Sequence, residues 1–210
     1  MAKHPFGILG PFFGKVGTVT GYTWKKIPVM RALPRKTNKK RSPAQVNQQQ
    51  KMAFVTRVLK GLSNFIRIGF KEEATAMTEF NKAISCNMSH AVSGASPDFK
   101  LHYDLVAVSR GSLPNAVLPE AKPEGAAIRF CWADNSGIGK AAATDKAIVA
   151  VYRPDINSWY TLVSDVRRTD ASVLFQLPGN EGKPFHTWLS FVSEEGETAC
   201  SAYTGEVAMA

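Results

Sequence analysis

At 210 residues, 44% hydrophobic and 20% charged, the chain has a globular composition and enough length to bury a sizeable core. Three cysteines form no disulfide framework, four scattered histidines have no metal-ligand spacing, and no run of about 20 apolar residues offers a membrane span. The net charge of +9 is divided: the first 71 residues hold fifteen Lys and Arg and no acid, while from Glu72 onward eleven basic residues face seventeen acidic ones, a balance of −6. That asymmetry bears on partners, pointing the basic end toward a polyanion or an acidic protein surface, including that of a second copy.

Residues 1–41 read as a basic, glycine-containing extended arm. Lys3 and His4 precede a short apolar run broken by Gly7, Gly10 and Pro11, with Lys15 after it and no convincing cleavage site. The expectation is cytoplasmic synthesis without a usual signal peptide, with a place in a virion or extracellular particle open to the product. Gly7, Gly10, Gly14, Gly17 and Gly21 have the spacing of a smooth helical stripe. Each glycine weakens a helix by about 1 kcal/mol, and Val16, Thr18, Val19 and Thr20 prefer extended backbone, so an extended or irregular arm with close backbone contacts is expected. Gly10 to Val16 has the look of a phosphate loop, but three residues rather than four separate its glycines, and Val16 stands where a hydroxyl is needed. Apolar and basic residues then alternate from Trp24 to Lys36, and five of the seven residues 35–41 are cations.

Residues 42–97 read as helical. Ser42, Pro43 and Gln45 form a helix start of capping-box type. Phe54, Val55, Val58, Leu59, Leu62, Phe65 and Ile66 follow the 3.6-residue period as one apolar stripe, which predicts a long helix ending at Gly69. A shorter helix is expected around Ala74–Ile84, with Met77, Phe80 and Ile84 inward.

Residues 98–210 read as short strands: 101–108, a run around Ile128–Trp132, 147–152, 159–163, 172–177, 186–192 and 198–203. Turn signals such as Pro154-Asp155 and Glu195-Gly196 separate them. Seven strands in this length predict an antiparallel β-sandwich of fibronectin III or immunoglobulin-like type, with Trp132 in its core. The fold class is therefore α+β: basic arm, one long and one short helix, C-terminal sandwich.

No catalytic constellation emerges. His4, His90, His102 and His186 stand apart from one another, and His186 reads as a surface or packing residue. No serine lies in a nucleophile elbow and Cys86 has no local signature. Asp165 and Asp170, beside Arg167 and Arg168, read as a solvated turn. Cys131 and Cys200, 69 residues apart, are able to bridge two sheets, and free half-buried thiols are the plainer alternative. No catalytic, cofactor or metal residue is assigned, and no cofactor is expected.

The arm carries the stronger signal. A solvated tail would not spend Phe6, Ile8, Leu9, Phe12, Phe13, Tyr22, Trp24 and Ile27, so the arm is expected to dock. Phe6, Gly7, Gly10, Gly14, Gly17, Gly21 and Trp24 are its candidate assembly residues. Lys25, Lys26, Arg31, Arg35, Lys36, Lys39, Lys40 and Arg41 are candidate phosphate contacts, with Tyr22, Trp24, Phe12 and Phe13 available to stack.

Gly7-x-x-Gly10-x-x-x-Gly14-Lys15-Val16-Gly17-x-Val19-x-Gly21, Arg31-x-x-Pro34 and Gln45-x-x-Gln48-x-x-Lys51-x-x-Phe54 resemble an uncharacterised family of Bacteroidota proteins about two hundred residues long. That family is a domain of unknown function. Ser109-Arg110-Gly111-x-Leu113, Trp132 and Ser201-x-Tyr203 extend the likeness over most of the chain. It implies no reaction, cofactor or catalytic residue. The Gly-Lys-Val-Gly arm, Arg-x-x-Pro step and Gln-rich helix start also resemble phage structural proteins.

Together these readings predict a non-enzymatic structural subunit, a shell, tail or filament component of a virion or phage-derived particle. Its arm would dock on neighbouring copies in a homo-oligomer or larger assembly. The alternative is a nucleic-acid-binding module using the basic arm.

Overall fold

The computed structural model describes residues 3–5, 7, 10–24, 26–34, 40–177 and 182–209. They form two compact units, Met1–Ser42 and Pro43–Ala210.

The N-terminal unit is an antiparallel meander of β1 (Gly14–Val16), β2 (Val19–Trp24) and β3 (Ile27–Ala32), in that spatial order. Two-residue connections set the register, pairing Val16 with Val19 and Trp24 with Ile27. Gly17 opens the first turn at φ +54°, the positive angle that a tight hairpin turn requires and glycine supplies without steric cost. Lys26 takes φ 67° in the second. Lys3 and Phe13 exchange backbone hydrogen bonds at 2.8 and 2.9 Å, which lays the start of the unit against β1.

The larger unit begins with α1 (Pro43–Leu59), a single 3-10 turn, α2 (Ser63–Gly69) and α3 (Glu79–His90). A two-residue pair, β4 (Val92–Ser93) and β5 (Lys100–Leu101), follows. Seven longer strands complete the unit: β6 (Val117–Glu124), β7 (Ala127–Ala133), β8 (Lys146–Arg153), β9 (Ser158–Arg167), β10 (Ser172–Gln176), β11 (Pro184–Val192) and β12 (Ala202–Ala208). They make a three-stranded sheet β10-β7-β6 and a four-stranded sheet β12-β11-β8-β9, all antiparallel. This is the strand arrangement of a fibronectin type III sandwich.

Side-chain alternation produces three layers. Ala147, Val149 and Val151 of β8, with Phe185, Leu189 and Phe191 of β11, face Ile128, Phe130 and Trp132 of β7. The opposite face of the same strands, Ile148, Ala150, Tyr152, Trp188 and Val192, lies under Val55, Leu59, Leu62, Phe65 and Ile66 of the helices. The four-stranded sheet is thus covered on both sides, and β8 and β11 read as near-continuous buried runs. The expected helical stripe is buried here except for the partly covered Phe54. Residues 42–97 and the strands share one core. Trp132 is 5% exposed and meets Phe191 edge-on at 5.4 Å.

Several elements depart from expectation, each for a local reason. The long helix divides at Lys60–Leu62, where side chains of the β8–β9 hairpin capture its carbonyls. The Trp159 indole donates to Val58 O at 2.7 Å and the Asn157 amide to Arg57 O at 3.2 Å, the acceptors that the amides of Leu62 and Gly61 would use in a continuing α-helix. The second helix starts later, at Glu79, where the Thr78 hydroxyl accepts from Asn81 N; Met77 stays 37% exposed. The strand expected over 101–108 stops at Leu101. Ala107 pairs instead with a buried helix side chain, donating to Asn87 Oδ1 at 3.0 Å and accepting from Asn87 Nδ2 at 2.9 Å. The last strand starts at Ala202 rather than Thr198, since residues 198–201 bond to 109–113: Leu113 N donates to Thr198 O and Ser201 N to Ser109 O. Strand β6 is not among the expected strands, and it carries Pro119 and Pro123. It is an edge strand paired only to β7, the position where missing amides are tolerated.

The turn at Asp165–Asp170 is solvated only in part. Asp165 is 95% exposed and pairs with Lys146, and Asp170 accepts from Arg167 N. Arg168 is completely buried. Its guanidinium bonds Asp145 Oδ2 at 3.1 Å, Asn135 Oδ1 at 2.7 Å and Pro114 O at 3.2 Å, and lies 3.9 Å from the Phe191 ring centre. Burial pulls its pKa down and the Asp145 charge opposes that pull. His186 is a packing residue: it stacks on Tyr103 at 3.5 Å and its Nδ1 is 2.8 Å from the Tyr203 hydroxyl. All three cysteines are free, so no Cys131–Cys200 bridge is formed. Among the described residues no helix is long and apolar enough to cross a membrane.

Candidate assembly surface of the N-terminal unit

Strand alternation divides the meander into two faces. Opposed residues of an antiparallel pair lie on the same face, so the register groups Lys15, Thr20 and Arg31, then Tyr22 and Val29, then Trp24 and Ile27 on one side. The other side carries Val16, Val19 and Ala32, Gly21 and Met30, and Thr23 and Pro28.

The first face mixes cations with large apolar side chains left in water. Tyr22 is 38% exposed, Trp24 45% and Ile27 63%. The Arg31 guanidinium lies 5.4 Å from the Tyr22 ring centre, within cation–π range. On the second face, Gly21 is the only buried residue among those described in the unit. The Phe12 backbone crosses it, and a Cβ at position 21 would collide with the Phe12 carbonyl oxygen. The His4 and Phe12 rings, 5.6 Å apart, continue this layer.

The sequence-predicted residues divide accordingly. Trp24 and Arg31 share the mixed face, with Lys26 at the hairpin turn beside it. Gly14 and Gly21 are paired opposite each other, Gly17 forms the turn, and Gly7 and Gly10 precede the sheet. Lys40 and Arg41 are exposed just ahead of α1. Phe6, Lys25, Arg35, Lys36 and Lys39 lie outside the described residues. Sequence reasoning did not place Lys15, Thr20 and Val29 on the face. The signal that would have found them is the pair of two-residue connections, which fixes the register once both are read as hairpins.

The structural boundary relocates the charge. Ten of the 26 basic residues precede Pro43, leaving sixteen against seventeen acidic ones in the larger unit. Within that unit Lys51, Arg57, Lys60, Arg67 and Lys71 accompany α1 and α2 without an acid among them, while the acidic excess follows from Glu72. Among the described residues no group of three or more His, Cys, Asp or Glu is placed to hold a metal ion.

The chain belongs to DUF6266, a family of unknown function, whose family model matches residues 11–205. No curated protein matches it. Among solved structures it is similar to a β-1,2-glucanase from Parabacteroides distasonis (18% identity over 49% of this chain and 14% of that one, TM-score 0.34). It is also similar to the FN5 domain of Drosophila Lar (12% identity, 45% of this chain and 96% of that one, TM-score 0.31) and to the chicken CNTN1 FN1–FN3 domains (11%, 48% and 36%, TM-score 0.35). The chain thus spans 14% of the length of the glucanase that it matches.

Proposed function

We propose that this DUF6266 protein is a non-enzymatic structural subunit whose N-terminal unit docks on neighbouring copies, in the setting of a virion or phage-derived shell, tail or filament. The observation that carries the reading is the mixed face of the meander. A three-stranded sheet is stable when a hydrophobic face is covered, yet Trp24 and Ile27 remain 45% and 63% exposed. Fully burying such a side chain contributes about 1.5–3 kcal/mol, so a partner surface covering both gains more than either single contact. Lys15, Arg31 and Lys26 beside them favour an acidic partner, and the chain from Glu72 onward carries a net −6. Exchange of an N-terminal element between identical subunits is a low-cost route to assembly.

The test is light scattering on a sizing column at low and high salt, comparing the full chain with a version lacking residues 1–41 and with Trp24→Ala/Ile27→Ala. Defined large particles from the full chain and none from either variant support the reading. Normal assembly of the truncated chain sinks it.

A second reading, a nucleic-acid-binding module, is favoured by the same juxtaposition of Arg31 and Lys15 with Tyr22 and Trp24, since aromatic faces stack bases while cations meet phosphates. Lys25, Lys26, Arg35, Lys36, Lys39, Lys40 and Arg41 would extend the phosphate track. The logarithm of affinity would then fall with that of salt by about one unit per neutralised phosphate on duplex DNA. A flat salt response rejects it.

A further inference from the structure

The larger unit gathers carboxylates at a cavity. Residues 193–197 make a tight turn between β11 and β12. Ser193 N donates to Glu197 O at 2.9 Å, Gly196 N to Ser193 O at 3.0 Å and Glu197 N to Ser193 Oγ at 3.0 Å. The turn holds Glu194, Glu195 and Glu197 in the lining of a cavity of about 440 Å³ that Lys140 and Asp145 also line. Lys140 bonds Glu197 at 2.7 Å, and the Lys71 ammonium lies against Gly196. The Glu197 bond is the chief cause of a raised Lys140 pKa, to which the charges of Glu72 and Glu195 add. Glu194 and Glu195 are exposed, and among the described residues neither forms an ion pair.

Asp145 points to a ligand independently of that turn. It is wholly buried. Its backbone N–H goes to Ala142 O and its C=O accepts from Arg168 N. Its Oδ2 is shared by Ala142 N at 3.0 Å and Arg168 Nε at 3.1 Å. Among the described residues its Oδ1 has no hydrogen-bond partner. Oδ1 is therefore the one polar atom of Asp145 left for an incoming donor, and a buried carboxylate oxygen without one is costly. No three of these carboxylates are placed to hold a metal ion. The ligand that fits is a side-chain ammonium, whose apolar stem is able to pack on Leu113, also in the lining.

We propose that this acidic cavity takes the Lys26 side chain of a second copy. The inference rests on the assembly reading above and names the contact through which assembly occurs. The N-terminal unit is the complementary surface, since ten basic residues and no acid precede Pro43. Within it Lys26 is exposed at the turn between β2 and β3, flanked by the exposed Trp24 and Ile27. A hairpin turn is the part of a meander shaped to enter a concave site. The Lys26 ammonium is the donor that Glu194, Glu195 and Asp145 Oδ1 lack. The turn of one copy and the cavity of the next are different surfaces, so the contact is heterologous and repeats into a ring or a filament.

The test follows full-length chains by light scattering on a sizing column at low salt, with urea midpoints confirming that each variant folds. Glu194→Lys/Glu195→Lys and Lys26→Glu are each expected to raise the concentration needed for assembly about a hundredfold, because like charges then face each other. An equimolar mixture of the two is expected to regain assembly, since each supplies the charge that the other opposes. Normal assembly of Glu194→Lys/Glu195→Lys overturns this inference; if removal of residues 1–41 still abolishes particles, the assembly reading survives it. Two variants that fail to assemble both alone and mixed also overturn it. A full chain that forms no particles overturns both. Should the cavity variant fail to fold, Lys26→Glu decides alone, its normal assembly overturning the inference.

Discussion

Strands β8 and β11 of the larger unit are covered on both faces, by helices on one side and the three-stranded sheet on the other. In the N-terminal unit, β2 and β3 leave Tyr22, Trp24, Ile27 and Met30 between 38% and 66% exposed, and one described residue, Gly21, is buried. Both regions are antiparallel and rich in apolar side chains. The difference is that the larger unit covers both faces of its four-stranded sheet, while among the described residues of the N-terminal unit the face carrying Tyr22, Trp24 and Ile27 stays exposed. An exposed apolar face of this kind is the sort of surface that marks interaction sites, which is why the N-terminal unit rather than the sandwich carries the functional proposal.

The comparison breaks most visibly at the buried charge. Removing one partner of a buried ion pair leaves the other uncompensated, at about 3–5 kcal/mol. Asp145→Ala, which strands Arg168 beneath Phe191, is expected to lower the stability of the larger unit by that amount in urea unfolding, with no effect on the exposure of Trp24. Phe65→Ala comes next. Phe65 is 3% exposed between α2 and the four-stranded sheet, and its truncation is expected to cost about 3–5 kcal/mol. Because helices and strands share a core, the loss should appear as one shifted transition by both far-ultraviolet and tryptophan signals; separate helix and sheet transitions would contradict the shared core.

Gly21→Ala tests the other region. The added Cβ meets the Phe12 carbonyl, so the meander is expected to lose about 1–3 kcal/mol and assembly with it, while the larger unit keeps its unfolding midpoint. Trp24→Ala/Ile27→Ala is smaller in stability, within about 0.5 kcal/mol for exposed positions, yet is expected to abolish assembly. A variant pair that alters stability and leaves assembly intact would reverse the assignment of the two regions.

Acid sharpens the comparison further. Burial, against the pull of Glu206, holds the His186 pKa below its ordinary 6.5. The folded chain therefore favours the neutral ring stacked on Tyr103. This contribution is fully present above pH 6.5, is lost as pH falls from 6.5 toward the depressed folded value, and levels off below it. His186→Gln is expected to flatten that part of the stability profile, measured as urea midpoints across the range. Tyr152, pushed up to about 12 chiefly by burial, stays protonated throughout.

Much of the larger unit was legible in the sequence because periodicity reports burial directly. The stripe from Val55 to Ile66 and the alternation through Ile128, Phe130 and Trp132 each name a buried face before any partner is known. What periodicity does not carry is where a backbone group finds its bond. Trp159 and Asn157 divide the first helix from about a hundred residues away, Asn87 keeps Ala107 out of a strand, and the 109–113 segment delays β12. Strand β6 is missing from the sequence reading, and the edge position that tolerates its two prolines is a property of the sheet. Part of the candidate surface was legible too. Trp24, Arg31 and the glycines were singled out, but their division between two faces waited on the hairpin register.

By itself, the sequence determined the charge asymmetry, the absence of acid before Glu72, the helical stripe and the strand-rich second half, since composition and local period are properties of the chain alone. Only the tertiary structure decided that the helices roof the four-stranded sheet, that Arg168 is buried rather than solvated, and that Asp145 lines a cavity with Glu194 and Glu195. Each of these depends on groups distant in sequence becoming neighbours, and the energy of a buried charge or an intercepted carbonyl is set by the neighbours it finds.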